Sequence, residues 1–207
     1  MGVAQPFTPS ARQDIVLLGD SVVYGGNPYK QHEKVGPQLE RLTGDDVWPI
    51  SAGSWGLANE LAYLNANPDV LSAADVLVFV LNNADFYGAS VWASELTHPT
   101  HRPMSALIYA LKRYVAPRVG LNLVTEKPQR SVDWLNDWST LTKGKRTIVL
   151  LYPDKTGRPF NWPVLPGAEV VNVADTREWK KSYYRDDIHP TPEGASALAL
   201  IVAKHLR

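Results

Sequence analysis

The chain has 207 residues, 44% of them hydrophobic and 20% charged. That is the composition of a folded globular chain, and the length suits one domain large enough for a three-layer core. Lys+Arg and Asp+Glu number 21 each, for a formal net charge of zero, which argues against nucleic acid or an anionic membrane as the main partner, since both favour a basic surface. Cysteine is absent, so a disulfide framework, a thiolate zinc site and a cysteine nucleophile are excluded. No apolar run approaches the length of a transmembrane helix. Residues 1–9 lack the basic start and long apolar stretch of a signal peptide; the chain reads as an exported protein whose leader has been removed, in preference to a cytoplasmic one.

Residues 14–18 read as a first strand, a short apolar run that ends on Gly19-Asp20-Ser21. Residues 22–30 are a loop rich in Gly, Asn and Pro. A helix is expected over 34–42, with Val35, Leu39 and Leu42 on one face and a stop at Gly44. Residues 47–50 form a short second strand, followed by the glycine-bearing turn Ser51-Ala52-Gly53-Ser54-Trp55-Gly56. Residues 58–65 follow as a helix, with Leu57, Leu61 and Leu64 aligned. Residues 75–81 are the strongest strand, apolar on both faces and therefore central and parallel. The rhythm then breaks over 82–146, a helical and loop insertion with helices expected over 104–115 (Leu107, Ile108, Leu111, Val115) and 132–141. Residues 147–151 resume the sheet, 152–166 are a Pro/Gly/Trp loop, and 170–173 are a fifth strand. The closing helix spans 191–206, with Pro192 and Glu193 in its first turn and Lys204, His205 and Arg207 at its end, as the helix dipole favours. Strands alternating with helices give an α/β fold, a three-layer sandwich around a mainly parallel five-stranded sheet.

Two motifs carry chemistry. Gly19-Asp20-Ser21 ends a buried strand, which presents Ser21 at the carboxyl edge of the sheet, where open α/β folds keep their sites. Asp186-Asp187-Ile188-His189 supplies carboxylates and an imidazole just before a Pro-started helix. A serine hydroxyl is a poor nucleophile until a base takes its proton. Neutral histidine, with a reference pKa of about 6.5, is suited to that task near neutrality. A carboxylate nearby fixes the imidazole tautomer.

On these residues the chain resembles the SGNH/GDSL hydrolase superfamily, which carries a G-D-S block near the N-terminus and a D-x-x-H block near the C-terminus. The resemblance spans nearly the whole chain. It implies a flavodoxin-like strand order and a catalytic triad of Ser21, His189 and Asp186, the family spacing selecting Asp186 and leaving Asp187 as a turn or cap carboxylate. It also implies three oxyanion donors: the Ser21 N–H, a glycine N–H after strand two, matched by Gly53, and an asparagine side chain after strand three. The third block departs from the family's G-x-N-D, because this chain has Asn82-Asn83-Ala84-Asp85. Residues two apart along a strand point the same way, so Asn82 shares the face of position 84, and Asn82 is the expected donor, with Asn83 as second choice.

The expected function is a serine-dependent esterase without a cofactor, acting on small acyl esters, acetyl above all, carried on a carbohydrate or polysaccharide. An O-acetyltransferase on the same triad and a lipase or thioesterase are the alternatives. A non-catalytic carbohydrate-binding domain is the reading from another class. Glu95, His98 and His101 lack the helical spacing of common zinc motifs, so no metal is expected. His32 reads as a loop residue and His205 as a helix-end cation. Trp55, Trp92, Trp134, Trp138 and Trp162 are candidates for a sugar-binding cleft, and equally for plugs between the sheet and the layer above it.

Overall fold

In the computed structural model the described residues are 11–26, 29–89, 96, 101–121, 133–157 and 160–207. They divide into two units, Met1–Ala89 with Val132–Arg207, and Ser90–Ser131. The second unit is narrower than the expected 82–146 insertion.

The first unit is built on five parallel strands: β1 (Asp14–Gly19), β2 (Asp46–Ser51), β3 (Val76–Leu81), β4 (Arg146–Leu151) and β5 (Glu169–Asn172). Their order is β2-β1-β3-β4-β5, the flavodoxin-like order. All four pairings are parallel. Gly19 pairs with Ser51 on one side and Val80 on the other, and Leu81 pairs with Leu151. The carboxyl ends of β2, β1, β3 and β4 therefore finish along one edge.

Alternation of side chains along the strands divides the core in two. Ile15, Leu17, Val76, Val78, Val80, Ile148 and Leu150 point to one face. There they meet Val35 and Leu39 of α2 (Val35–Thr43) and Leu198, Ile201 and Val202 of α7 (Pro192–Leu206). Val16, Leu18, Leu77, Phe79, Leu81 and Val149 point to the other. Leu57, Leu61 and Leu64 of α3 (Leu57–Ala66), Val70 of α4 (Pro68–Ala73) and Trp138 of α6 (Trp134–Leu141) cover them. α4 was not foreseen; six residues begun by a proline are too few to show a helical period. Trp138 is fully buried, its ring centroid 5.1 Å from that of Phe79 and its indole N–H donated to the Pro166 carbonyl at 3.0 Å. Among the described candidates Trp138 is the fully buried one, while Trp55, Trp134 and Trp162 pack partly buried against the same cluster.

In the second unit, α5 (Ala106–Ala110) starts at Ser105, whose hydroxyl accepts the Ile108 N–H. It is continued by a π turn over Leu111–Val115 and a 3-10 turn over Ala116–Val119 that stops at Gly120. Pro117 has no N–H and its ring crowds the carbonyl four residues back, so the regular helical ladder expected over 104–115 gives way ahead of it. Among the described residues no helix is long and apolar enough to cross a membrane.

Replacing Trp138 with alanine empties the largest buried side chain of the α3–α6 layer and forfeits its bond to Pro166. The expected loss is about 3–5 kcal/mol of unfolding free energy, read from urea denaturation. A loss no larger than that of an exposed tryptophan would contradict the plug.

Candidate active site

The serine turn is built by its own sequence. β1 ends on Gly19, where a side chain would collide with α1 (Ser21–Tyr24): a Cβ would fall 2.4 Å from Val23 Cγ2. Asp20 then caps α1, its carboxylate accepting the Val22 N–H at 2.7 Å. Ser21 is the first residue of that turn, partly exposed at the sheet edge.

The histidine reaches it from the far end of the chain. His189 Nε2 lies 3.0 Å from Ser21 Oγ. On the other side of the ring, Nδ1 is 3.0 Å from both carboxylate oxygens of Asp186. Asp186 also accepts the backbone N–H groups of Ile188 at 3.1 Å and His189 at 2.8 Å. Its partial burial works against ionisation, but these two N–H groups and the imidazole outweigh it and hold the carboxyl well below the usual range. A lowered folded value means that this carboxylate supports the loop above its ordinary pKa and releases that support only as pH falls through the lowered one. Asp187 is exposed and enters the local bonding through its carbonyl, which accepts the Lys155 N–H at 2.8 Å.

The loop is clamped at its neck. Tyr184 and Pro190 form an antiparallel bridge. The Arg185 N–H donates to the His189 carbonyl at 2.8 Å, and Thr191 N–H to the Tyr183 carbonyl at 2.7 Å. The Tyr184 hydroxyl donates to the Pro153 carbonyl and the Tyr29 hydroxyl to the Pro190 carbonyl. Gly194, in the first turn of α7, must be glycine because a Cβ would sit 2.7 Å from the Tyr183 carbonyl oxygen and 2.9 Å from Pro190 Cβ.

Asn82 arrives by a different route from the one expected. β3 ends at Leu81, and Asn82 caps a 3-10 turn over Asn83–Phe86, its Oδ1 accepting the Ala84 N–H at 2.8 Å. Strand parity therefore has no strand to act on. The cap fixes the amide instead, with Nδ2 donating to Asp20 Oδ2 at 3.0 Å. Asn83 Oδ1 is buried without a hydrogen-bond partner. Gly53 lies in the turn after β2, closed by the Trp55 N–H on the Ala52 carbonyl at 3.3 Å. The left-handed position of that turn is Ser54, at φ 62°, and not Gly53, and a Cβ on Gly53 would meet nothing within 4 Å.

Sequence reasoning passed over Asp20, Asp85 and Glu60. Asp20 ties the serine turn to Asn82, and Asp85 accepts the Asn82 N–H at 2.7 Å. Glu60 shows in the helical period: it lies three residues after Leu57 and four before Leu64, inside the apolar stripe. Beside Asn82, Phe86 meets Trp134, Phe160 and Trp162 with centroids 5.8–6.2 Å apart, and Tyr87 meets Phe160 at 6.2 Å. Trp55 is paired with Tyr63 at 6.0 Å. His32 is exposed in a 3-10 turn, and His205 pairs with Glu169 at 2.6 Å. His101 is exposed; Glu95, His98 and Trp92 lie outside the described residues.

Among solved structures, an acetyl xylan esterase from the rumen bacterium Butyrivibrio proteoclasticus superposes with a TM-score of 0.52 at 12% identity, over 97% of this chain and 65% of that one. The chain shares that protein's fold, a parallel five-stranded sheet with helices on both faces. A member of the lipolytic G-D-S-L family from Veillonella parvula matches at 10% identity over 93% of this chain and 97% of that chain, with a TM-score of 0.49. A protein from Slackia heliotrinireducens assigned to the SGNH hydrolases matches at 15% identity over 95% and 100%, with a TM-score of 0.48. Comparisons with protein-family models and with curated protein sequences found no match. The segments carrying Ser21, Gly53 and Asn82 fall at the ends of β1, β2 and β3, and the one carrying Asp186 and His189 on the loop before α7.

Because Gly53 is needed neither for the turn nor for packing, Gly53→Ala should leave the melting temperature unchanged. Unfolding at a lower temperature would show that the glycine is structural after all.

Proposed function

We propose that the protein is a serine-dependent ester hydrolase that removes small acyl groups, acetyl above all, from a carbohydrate. One observation carries the reading: a continuous hydrogen-bonded line from Asp186 through His189 to Ser21, joining residues 168 apart in sequence. In this reading Ser21 Oγ attacks the ester carbonyl while His189 Nε2 takes its proton. Asp186 holds the ring with Nδ1 protonated and Nε2 free to accept. The tetrahedral oxyanion is met by Asn82 Nδ2, which has a second N–H beyond the one given to Asp20, and by the Ser21 and Gly53 N–H groups. His189 then returns the proton to the departing alcohol, and the acyl-Ser21 ester is cleared by water through the same base. A carbohydrate alcohol is supported by the aromatic faces of Tyr87, Phe160 and Trp162 on and beside the Asn82 turn, suited to packing against a sugar ring.

Ser21→Ala should abolish p-nitrophenyl acetate hydrolysis and fluorophosphonate labelling while leaving the fold intact. Surviving turnover would remove Ser21 as nucleophile. Asp186→Asn should lower kcat by roughly ten-thousandfold, with Asp187→Asn mild; equal losses would undo the assignment within the loop. Asn82→Ala should reduce kcat by roughly a hundredfold with KM little changed, measured on an acetylated oligosaccharide.

Acid should switch the enzyme off through the base. A protonated His189 cannot accept the serine proton, whereas Asp186, held well below the usual carboxylate range, stays ionised over the same interval. The pH profile of kcat/KM should show one acid limb; two acid limbs would place a second titration in the line.

A further inference from the structure

α3 starts pressed against the turn that carries Asn82. A Cβ on Gly56, the residue that caps α3, would lie 2.7 Å from the Gly88 carbonyl oxygen and 2.9 Å from that of Asp85. Glu60 follows one turn later on the same face, its N–H on the Gly56 carbonyl at 3.3 Å. Leu57, Leu61 and Leu64 keep that face in the core, and Glu60 has 0% exposure. Neither of its carboxyl oxygens has a hydrogen-bond partner.

The charged groups that face Glu60 are Asp85, from the 3-10 turn, and Asp20, from the end of β1. Both are buried carboxyls. His189 faces Asp20 in turn and is the member of this set able to carry positive charge. Three buried carboxyls facing one another cannot all be ionised. Hydrogen bonds decide where a proton stays. Asp20 accepts from Val22 N–H at 2.7 Å and Asn82 Nδ2 at 3.0 Å, and Asp85 accepts from Asn82 N–H at 2.7 Å. Each of these bonds favours the carboxylate. Glu60 has none. Burial first, and then Asp85 and Asp20, push its carboxyl well above the usual range. Burial and Asp20 raise Asp85 as well, against the opposing pull of Asn82.

We propose that Glu60 is a positioning residue that works as a neutral carboxylic acid, filling the space behind the Asn82 turn without adding a negative charge of its own to the Asp20–Asn82–Asp85 network. Its effect on catalysis rests on the esterase reading above, in which Asn82 is an oxyanion donor; its protonation does not. A group whose folded pKa is raised stabilises fully below its unfolded value and loses that contribution as pH rises towards the folded one. Wild-type protein should therefore fall behind the Glu60→Gln variant in stability as the solution becomes more alkaline.

The test compares wild type with Glu60→Gln, Glu60→Ala and Asp85→Asn. At neutral pH the infrared carbonyl band of a protonated carboxylic acid should be present in wild type and Asp85→Asn and missing from Glu60→Gln. The melting temperature of Glu60→Gln relative to wild type should rise between about pH 5 and about pH 8. Glu60→Ala should lose roughly tenfold or more in kcat, with KM little changed, as the turn relaxes, and Glu60→Gln should recover most of it. The proposal is overturned if the band survives in Glu60→Gln, if the melting difference is flat or falls with pH, or if Glu60→Gln is as slow as Glu60→Ala. If Glu60→Ala does not fold, the band and the melting series on Glu60→Gln decide. Fluorophosphonate labelling of wild type is run in parallel: failure there removes the esterase reading, while the band and the melting series still decide the charge of Glu60.

Discussion

The Asp20 carboxylate is the point on which the site is hung. One oxygen caps the short helix that presents Ser21, and the other holds the Asn82 amide at the end of the neighbouring strand. Because both partners are buried, the bond acts in a poorly screened interior, where a charge-assisted hydrogen bond is short and directional. It locks two loops that would otherwise be free to move independently at the sheet edge. The backbone pairing of β1 with β3 stops at Gly19 and Val80, so this bond carries the tie beyond the end of the ladder.

The rest of the fold exists to bring those loops to one edge. Runs of apolar residues with alternating orientation force β1, β3 and β4 into the middle of the sheet. The two half-cores on either side then fix the register to the residue. A one-residue slip would turn Leu17 and Val78 into the layer that holds Phe79 and Trp138. The histidine loop uses another device: it carries its own carboxylate and its own bridge, and it is tied to the rest of the unit by two tyrosine hydroxyls and by the Lys155 N–H on its backbone.

Much of this was legible in the sequence, and the failures are instructive. The strands and the amphipathic helices were readable because period and burial agree in them. Ser21, Asp186 and His189 stood out because each sits in a short local motif, and the structure brings them within hydrogen-bond reach of one another. Asn82 was singled out by an argument that does not survive the structure. Parity along a strand assumes that the strand continues, and here the chain turns at once, with the asparagine capping its own turn. Glu60 was hidden in plain view, since a lone acidic residue in an apolar stripe is usually taken as the stripe's edge. α4 and the π turn before Pro117 lay below the resolution of any periodicity argument. Tertiary contacts set all of these, and no window of ten residues contains them.

The spacing of Ser21, Asp186 and His189 has a consequence for when the proposed site comes together. Asp186 and His189 are three residues apart, but Ser21 lies 168 residues before His189. A chain synthesised only through β4 holds Ser21 and Asn82 and lacks His189. On the esterase reading its hydroxyl has no base until the loop before α7 reaches the sheet edge. Hydrolysis of a chromogenic ester would then double as a reporter of assembly, a sign that this loop has been made and has docked beside Ser21.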